Sequence, residues 1–580
     1  MFSVNRRNAL FFVLVLIPPF SIAYFVLRYG LTVPFWDQWE LVPLLYKMHS
    51  SELSFFDIWA QHNEHRIFFP KLVMLTLAYM TDWNIMYELY TNLMLAGITL
   101  FVLWLLMRRT FDKIDSTSIK LFPVVFSFLV FSPAQWENFA WGWQIQFFLS
   151  VLAAVVAVWA VSRWPGELKG VLIGIAAAVV ASYSLNNGLL TWIVVGMLLL
   201  MQGERKWEYI ILWTAAFAVT TAFYYYGYTK PAHHPSLLFC MSHPGDFFKY
   251  VLAYIGSPVG FGNKDISTSI GLLFMIVLCN AAIRICRSHK EEFNRLLPWL
   301  AIASYAILSA VVTGIGRVGF GVGTALSSRY TTVSTLFIIS VLVIVVIWAN
   351  NYIRIYKQLP TKWVVIITSI STLIVLSYIL SFLKGKEEFA QRKAQLEKAA
   401  ACFENVDVAP DECLKVLYPN PSILRERTKM LSKMGLLKKK GVEWQKIKRV
   451  KGGLMCIDLI NSQLYAPLQQ KVIIDSSRDK LLTINGWAVD DIKKDSGDRV
   501  YIVFRYNDEE IIVPTTRQSR PDVAKHFGED GYMQSGWVVN LSSDNFKKGC
   551  YAFSVRILRG NKKEYFELDG DKQVCFVRAR

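Results

Sequence analysis

Long apolar runs separated by short polar stretches dominate the first two thirds of the chain. The first follows MFSVNRRN and covers 9–27; others lie near 85–107, 120–133, 144–162, 168–183, 188–202, 207–227, 267–286, 295–314, 330–349 and 362–383. Each reaches or approaches the roughly 20 residues with which a helix crosses a bilayer. The pattern therefore predicts about eleven spans. The runs at 120–133, 168–183 and 188–202 are short, and a change of one in the count reverses the side of every later loop. The N-terminal run has the basic flank of a signal peptide, but it is too long and lacks a small-residue cleavage site. It reads as the first span, entering from the cytoplasm.

Beyond 383 the period changes. From 384 to about 437 the pattern is helical and charged, as in EEFAQRKAQLEKAAACF. From about 472 it becomes two: KLLTINGWAVD, RVYIVFRY, EEIIVPTT, SGWVVNLS, CYAFSVRILR and YFELD alternate or run with β-branched and aromatic residues between turn residues. Short strands at such spacing predict a small sandwich. The fold expected is a polytopic α-helical membrane bundle over 1–383, with a first outer loop at about 29–84. A helical extracytoplasmic connector over 384–471 and a β-sandwich over 472–580 follow. No internal repeat or low-complexity tract is present.

Composition agrees with the pattern. Hydrophobic residues make up 54% of the chain and charged residues 18%, below the roughly 25% charge of soluble proteins. A typical soluble enzyme is excluded. The net charge of +18 would suggest nucleic acid in a soluble chain. Here the basic residues are spread among loops, as the positive-inside rule requires, so no nucleic-acid partner is expected. Eleven spans place Arg108, Arg109, Lys113, Arg163, Lys169, Arg205, Lys206, Arg287, Lys290, Arg354 and Lys357 on the cytoplasmic side. The polar tail then lies outside, where disulfides are permitted. Five of the eight cysteines are there. Cys402 and Cys413 could close a small loop, Cys550 and Cys575 sit in strand-like segments, and Cys456 is left over, although spacing alone does not determine connectivity.

Candidate chemistry gathers in the outer loops. Asp37, flanked by Trp36 and Trp39 just past the first span, suits a general base of tuned basicity, with Glu40 one helical turn on. The competing reading is an interfacial aspartate capping a helix among belt tryptophans. His62, Asn63, Glu64, His65 and Arg66 form a dense polar cluster suited to a sugar or phosphate. It could equally be a solvated helix face, and its spacing does not match the H-E-x-x-H zinc arrangement. In SPAQWENFAWGWQIQF, the residues Trp136, Glu137, Asn138, Trp141 and Gln144 could meet the faces and hydroxyls of a sugar ring. An aromatic belt uses the same residues. In YSLNNGLLTW, Asn187 could reach a ligand or simply serve a turn.

GIGRVGFGVGTALSSRYTT carries Arg317 and Arg329 in a glycine-rich loop without the G-K-[ST] ending of a Walker motif. These arginines suit the phosphate of a lipid carrier, or lipid headgroups generally. The histidine loop with His233, His234 and His243 suggests no chemistry. Trp487 and Trp537 in the tail could form a glycan platform, though tryptophans of a sandwich are more often core.

W-D-Q-W, H-N-E-H-R, W-E-N-x-x-W-G-W-Q and S-S-R-Y, together with the carboxylate after the first span and an outer soluble tail, resemble the GT-C superfamily of lipid-phosphate-sugar glycosyltransferases. Within it they look like bacterial serotype-converting O-antigen glucosyltransferases of the Gtr type, over about residues 1–430. The resemblance implies an inverting hexosyltransferase of the bacterial inner membrane, multi-pass, with a periplasmic C-terminal domain. Its donor would be a sugar, glucose in this subgroup, on undecaprenyl or another polyprenyl phosphate; its acceptor would be a lipid-linked glycan such as the O-antigen of lipopolysaccharide. Asp37 matches the family's first-loop carboxylate. Many members carry adjacent paired acids there, so Glu40 or Glu64 could be the base instead. Membrane lipids, a flippase and a synthase of the lipid-linked donor are the partners implied. No convincing metal-ligand set appears, and dependence on a divalent metal stays open.

Two other functions fit the same features. An O-antigen polymerase also uses outer-loop arginines but needs no first-loop carboxylate. A transporter or flippase of lipid-linked sugars would place polar or broken helices at the midplane, whereas the polar clusters here gather at one face.

Overall fold

A computed structural model of the chain describes residues 6–112, 122–203, 206–230, 239–287, 290–356, 361–403, 406–436, 444–461, 463–464, 471–507, 509–560 and 563–577. Lys113, Arg205, His233, His234 and Lys357 lie outside them. The chain divides into two units, one comprising 1–32 and 50–393, the other 33–49 and 394–580.

The first unit is helical. All eleven apolar runs contain helix, and six helices among the described residues are long and apolar enough to cross a membrane: Phe11–Tyr29, Met86–Thr110, Gly142–Arg163, Lys264–Cys286, Glu292–Phe320 and Ser328–Ile353. Phe68–Thr81, Leu168–Ser182 and Asn186–Met201 are shorter apolar helices. The run at 120–133 yields a helix of nine residues, Phe122–Val130. Six helices thus meet the length and composition requirement, against eleven spans expected from the runs alone. Burial separates them: within an 18-residue apolar stretch of each, 83% is buried in Gly142–Arg163 and 89% in Ser328–Ile353, against 22% in Phe11–Tyr29. The first two form the centre of the bundle and the N-terminal helix its periphery.

The second unit holds the sheets. β1 (Lys448–Arg449), β2 (Leu454–Ile460), β3 (Gln463–Leu464), β4 (Lys471–Asp475), β5 (Leu481–Val489), β6 (Arg499–Tyr506), β7 (Glu509–Pro514), β8 (Thr516–Gln518), β9 (Gly536–Ser542), β10 (Gly549–Leu558) and β11 (Glu564–Val577) form two sheets. One has the order β1-β11-β10-β6-β7 with β4 also on β11; the other is β3-β2-β5-β9-β8. Their inner faces share one apolar core containing Leu482, Ile484, Ile502, Phe504, Trp537, Val555 and Ile557. Trp537 is fully buried there, and Trp487 packs edge-on to Phe527, so neither makes an open platform. Among the described residues the strands begin at Lys448, which corrects the helical connector expected as far as 471. Cys402 pairs with Cys413 and Cys550 with Cys575.

Candidate functional site

Four loops that are remote in sequence meet within the helical unit. His62 and His65 face each other across a tight turn through reciprocal backbone hydrogen bonds of 2.8 and 2.9 Å. Asn63 at its tip has φ 48°, a left-handed conformation that asparagine tolerates better than most residues. The segment is therefore a turn and not the helix face considered above. That turn projects Glu64, whose carboxylate pairs with the Arg317 guanidinium; His65 Nε2 lies 3.6 Å from the same carboxylate. His65 Nδ1 accepts a hydrogen bond of 3.3 Å from the backbone of Asn186, and Asn187 Nδ2 donates to Thr313 Oγ1 at 3.2 Å. Gly188 permits this third loop, because a Cβ there would sit 1.9 Å from the Ala181 carbonyl oxygen.

Arg317 ends its helix, and the chain continues through short 3-10 turns at Val318–Phe320, Val322–Leu326 and Ser328–Tyr330. These turns make up the glycine-rich loop of the sequence. It carries the chain from the Glu64 pair to the W-E-N segment. There Asn138 Nδ2 donates to the Arg329 carbonyl at 3.0 Å and to Thr332 Oγ1 at 2.6 Å, and Ser328 Oγ accepts from the Glu137 backbone at 3.2 Å. Arg329 Nε donates to Ser327 Oγ at 3.1 Å. A cavity of about 350 Å³ opens beside this junction, with Trp136, Glu137, Ser257, Ser328, Lys384 and Glu388 in its wall.

Several residues read as ligand contacts are interior instead. Arg66 is buried and donates to the carbonyls of Tyr224 (2.6 Å), Trp59 (3.1 Å) and Tyr226. Its guanidinium satisfies backbone acceptors that would otherwise be stranded, so it fixes the first loop and does not face a ligand. Asn138, Trp141 and Gln144 are likewise buried, and Asn92 Nδ2 donates to the backbone carbonyls of Asn138 and Trp141 at 2.9 and 3.0 Å. His62 packs edge-on to the buried Trp143 ring at 5.0 Å. Among the described residues, no three His, Cys, Asp or Glu side chains converge as a metal-ligand group.

The Asp37 segment belongs to the second unit. Trp36 enters a 3-10 turn, Trp36–Leu41, with φ 48°, and its amide donates to the Leu417 carbonyl at 2.7 Å. A positive φ at a tryptophan is an outlier that surrounding contacts must hold. Trp39 supplies one of them: fully buried, it stacks edge-on to Phe403 at 5.3 Å and donates to the Pro34 carbonyl at 3.0 Å. Asp37 is half-buried on the first turn. Glu40 is bound bidentately by Arg427, each contact 2.9 Å, and the Tyr418 hydroxyl donates to the same carboxylate. Burial alone would lower the Arg427 pKa, but the Glu40 hydrogen bonds and charge hold it above the ordinary value. A carboxylate so engaged ties this turn to Arg427 and Tyr418.

Two residues outside the sequence motifs, Lys384 and Glu388, line the cavity. With Arg392 they stand at successive i, i+4 positions on the helix Thr361–Phe403, after its apolar part. Desolvation pushes the Arg392 guanidinium down to about 10, against the opposing charge of Glu137. It remains a cation at neutral pH. The signal available in the sequence was the spacing of the charges in LKGKEEFAQR.

No protein-family model matches the chain. An uncharacterized protein of Archaeoglobus fulgidus is 25% identical over 201 residues, 33% of this chain and 49% of that protein. The chain thus spans about half the length of this curated relative. Among solved structures, the archaeal oligosaccharyltransferase AglB from Archaeoglobus fulgidus, in complex with an inhibitory peptide and a dolichol-phosphate, is similar with a TM-score of 0.34 and 11% identity. The match covers 66% of this chain and 56% of that one.

Proposed function

We propose that the chain is a GT-C-like membrane glycosyltransferase that moves a sugar from a polyprenyl-phosphate carrier to a lipid-linked surface glycan. The finer reading is glucose transfer to O-antigen on the outer face of the bacterial cytoplasmic membrane, with the second unit periplasmic. The observation that carries it is the convergence of the H-N-E-H, N-N-G, W-E-N and G-R…S-S-R-Y loops, joined by the Glu64–Arg317 and Asn138–Arg329 contacts, beside a cavity with charged residues in its wall in an apolar helical bundle. Two disulfides in the second unit fit an oxidising compartment.

In the reaction proposed, Asp37 takes the proton of an acceptor hydroxyl as that oxygen attacks C1 of the donor sugar. The new C1–O bond forms as the bond from C1 to the phosphate oxygen breaks, and the polyprenyl phosphate departs with the electron pair, with inversion at C1. Arg317 and Arg329 meet the charge on the departing phosphate. No nucleotide takes part.

The test is mass spectrometry of the host's surface glycan after deletion of the gene and its restoration as wild type or Asp37→Asn. The expected result is one sugar lost per repeat on deletion and regained only with the wild type. An unchanged repeat mass with altered chain length would point to a polymerase. An unchanged repeat with reduced surface glycan would point to export by a flippase.

A further inference from the structure

Gly385 brings the helix Thr361–Phe403 against the segment before W-E-N. A Cβ at Gly385 would lie 2.7 Å from Pro133 Cβ and 3.2 Å from the Pro133 carbonyl oxygen. Both residues also line the cavity of about 350 Å³, together with Leu380, Lys384 and Glu388 from the helix. That volume lies in the range of small-molecule pockets, about 300–1,000 Å³. Glu137 stands on one wall and Lys384 and Glu388 on the other. The side chains of these three residues make no hydrogen bond or ion pair among the described residues. Trp136, held edge-on by Phe389 at 6.4 Å, adds an aromatic ring to the rim.

Ionisable groups with their hydrogen-bonding capacity unused, facing a cavity, restrict what can occupy it. Each carboxylate can accept two hydroxyl protons, and the ammonium can donate to ring or hydroxyl oxygens. The tryptophan suits the C–H face of a pyranose. A ligand carrying its own carboxylate would face both Glu137 and Glu388, and like charges brought together across a binding site are a strong source of discrimination. A free cation would meet Lys384. The wall therefore favours an uncharged polyol ring.

We propose that this cavity is a sugar subsite selective for an uncharged hexopyranose, in which Glu137 and Glu388 read hydroxyl groups and Lys384 donates to a ring or hydroxyl oxygen. The assignment rests on the transferase reading above and adds to it the place where the sugar is held and two residues, Lys384 and Glu388, on the helix that carries the last apolar run.

The test is a saturation-transfer NMR titration of the full-length protein in lipid nanodiscs with methyl α-D-glucopyranoside and with the corresponding methyl glucosiduronate. The glucopyranoside should bind at least about tenfold more tightly, the scale set by a hydrogen bond to a charged group against like-charge contact. Glu388→Gln should bring the two affinities together by weakening the neutral sugar and relieving the anion. Lys384→Met should widen the gap, and it carries the test if Glu388→Gln fails to elute as a single species. Binding of neither sugar, equal binding of both, or a ratio that both variants leave unchanged would overturn the proposal. A deletion strain with an unaltered glycan would remove the transferase reading while leaving a measured sugar preference standing. Confirmed transfer by an enzyme whose preference ignores Glu388 would remove this inference alone.

Discussion

Glu40 accepts both terminal guanidinium nitrogens of Arg427, each at 2.9 Å, and so ties the turn bearing Asp37 to the helix Pro421–Lys433. Removing Arg427 leaves a half-buried carboxylate without its cation, at a cost of about 1–3 kcal/mol. Arg427→Met should therefore unfold at lower temperature and be cut faster by protease within 33–49. Arg427→Lys, which keeps the charge but loses the fork, should fall between. Unaltered proteolysis in Arg427→Met would show that the tie does not hold this segment.

Gly385 leaves no room for a side chain. The atoms a Cβ would meet belong to a proline ring and its carbonyl, neither of which can swing aside. Gly385→Val should destabilise the protein by about 1–3 kcal/mol, as overpacking does, and separate the helix from W-E-N. Differential scanning fluorimetry gives the first quantity. Quenching of tryptophan fluorescence by acrylamide reports the second, because Trp136 sits at the rim. Wild-type quenching in this variant would count against the close approach.

The helices could be read from the sequence because apolar runs and bilayer thickness together determine them, and β5 because its buried residues alternate. β1 and β3 are two residues long and carry no period, so the start of the sheets at 448 was hidden. The Cys402–Cys413 pair was legible as a short loop; the placement of 33–49 with 394–580 was not, since no local pattern links opposite ends of a chain. Glu64 and Arg317 were each legible as candidates, but not as partners 253 residues apart. Arg66 was misread because an arginine that satisfies buried carbonyls looks, in sequence, like one awaiting a phosphate. Lys384 and Glu388 were overlooked because i, i+4 charges usually mark a solvated helix face.

Arg317 is positioned by Glu64, and the pair should act as a unit. In a transfer assay with lipid-linked donor, Arg317→Gln should lower kcat/KM by about 100-fold or more, the scale for losing a donor to a developing charge. Arg317→Lys should recover part of this. Glu64→Gln should cost less, and the double variant should be no worse than Arg317→Gln alone, since residues in contact couple. Strictly additive losses would mean that the two side chains act separately.

In the second unit, Glu567 is enclosed by Ser554, Arg505 and Arg556, the last at 3.0 Å, with its side chain 1% exposed. Burial alone would raise its carboxyl, but hydrogen bonds from Ser554, Arg505 and Arg556 outweigh it and hold the pKa at about 2, against an ordinary 4.5. The unfolded chain therefore binds this proton more readily than the folded one. The stabilisation is complete above the unfolded value and is lost as pH falls from 4.5 through about 2. Urea unfolding followed by tryptophan fluorescence between pH about 5 and about 2.5 should show the midpoint falling with pH in the wild type. Glu567→Gln keeps the shape without the titrating group, so it should start less stable at neutral pH and lose less on acidification. Parallel acid profiles for the two proteins would assign the acid sensitivity to other carboxylates.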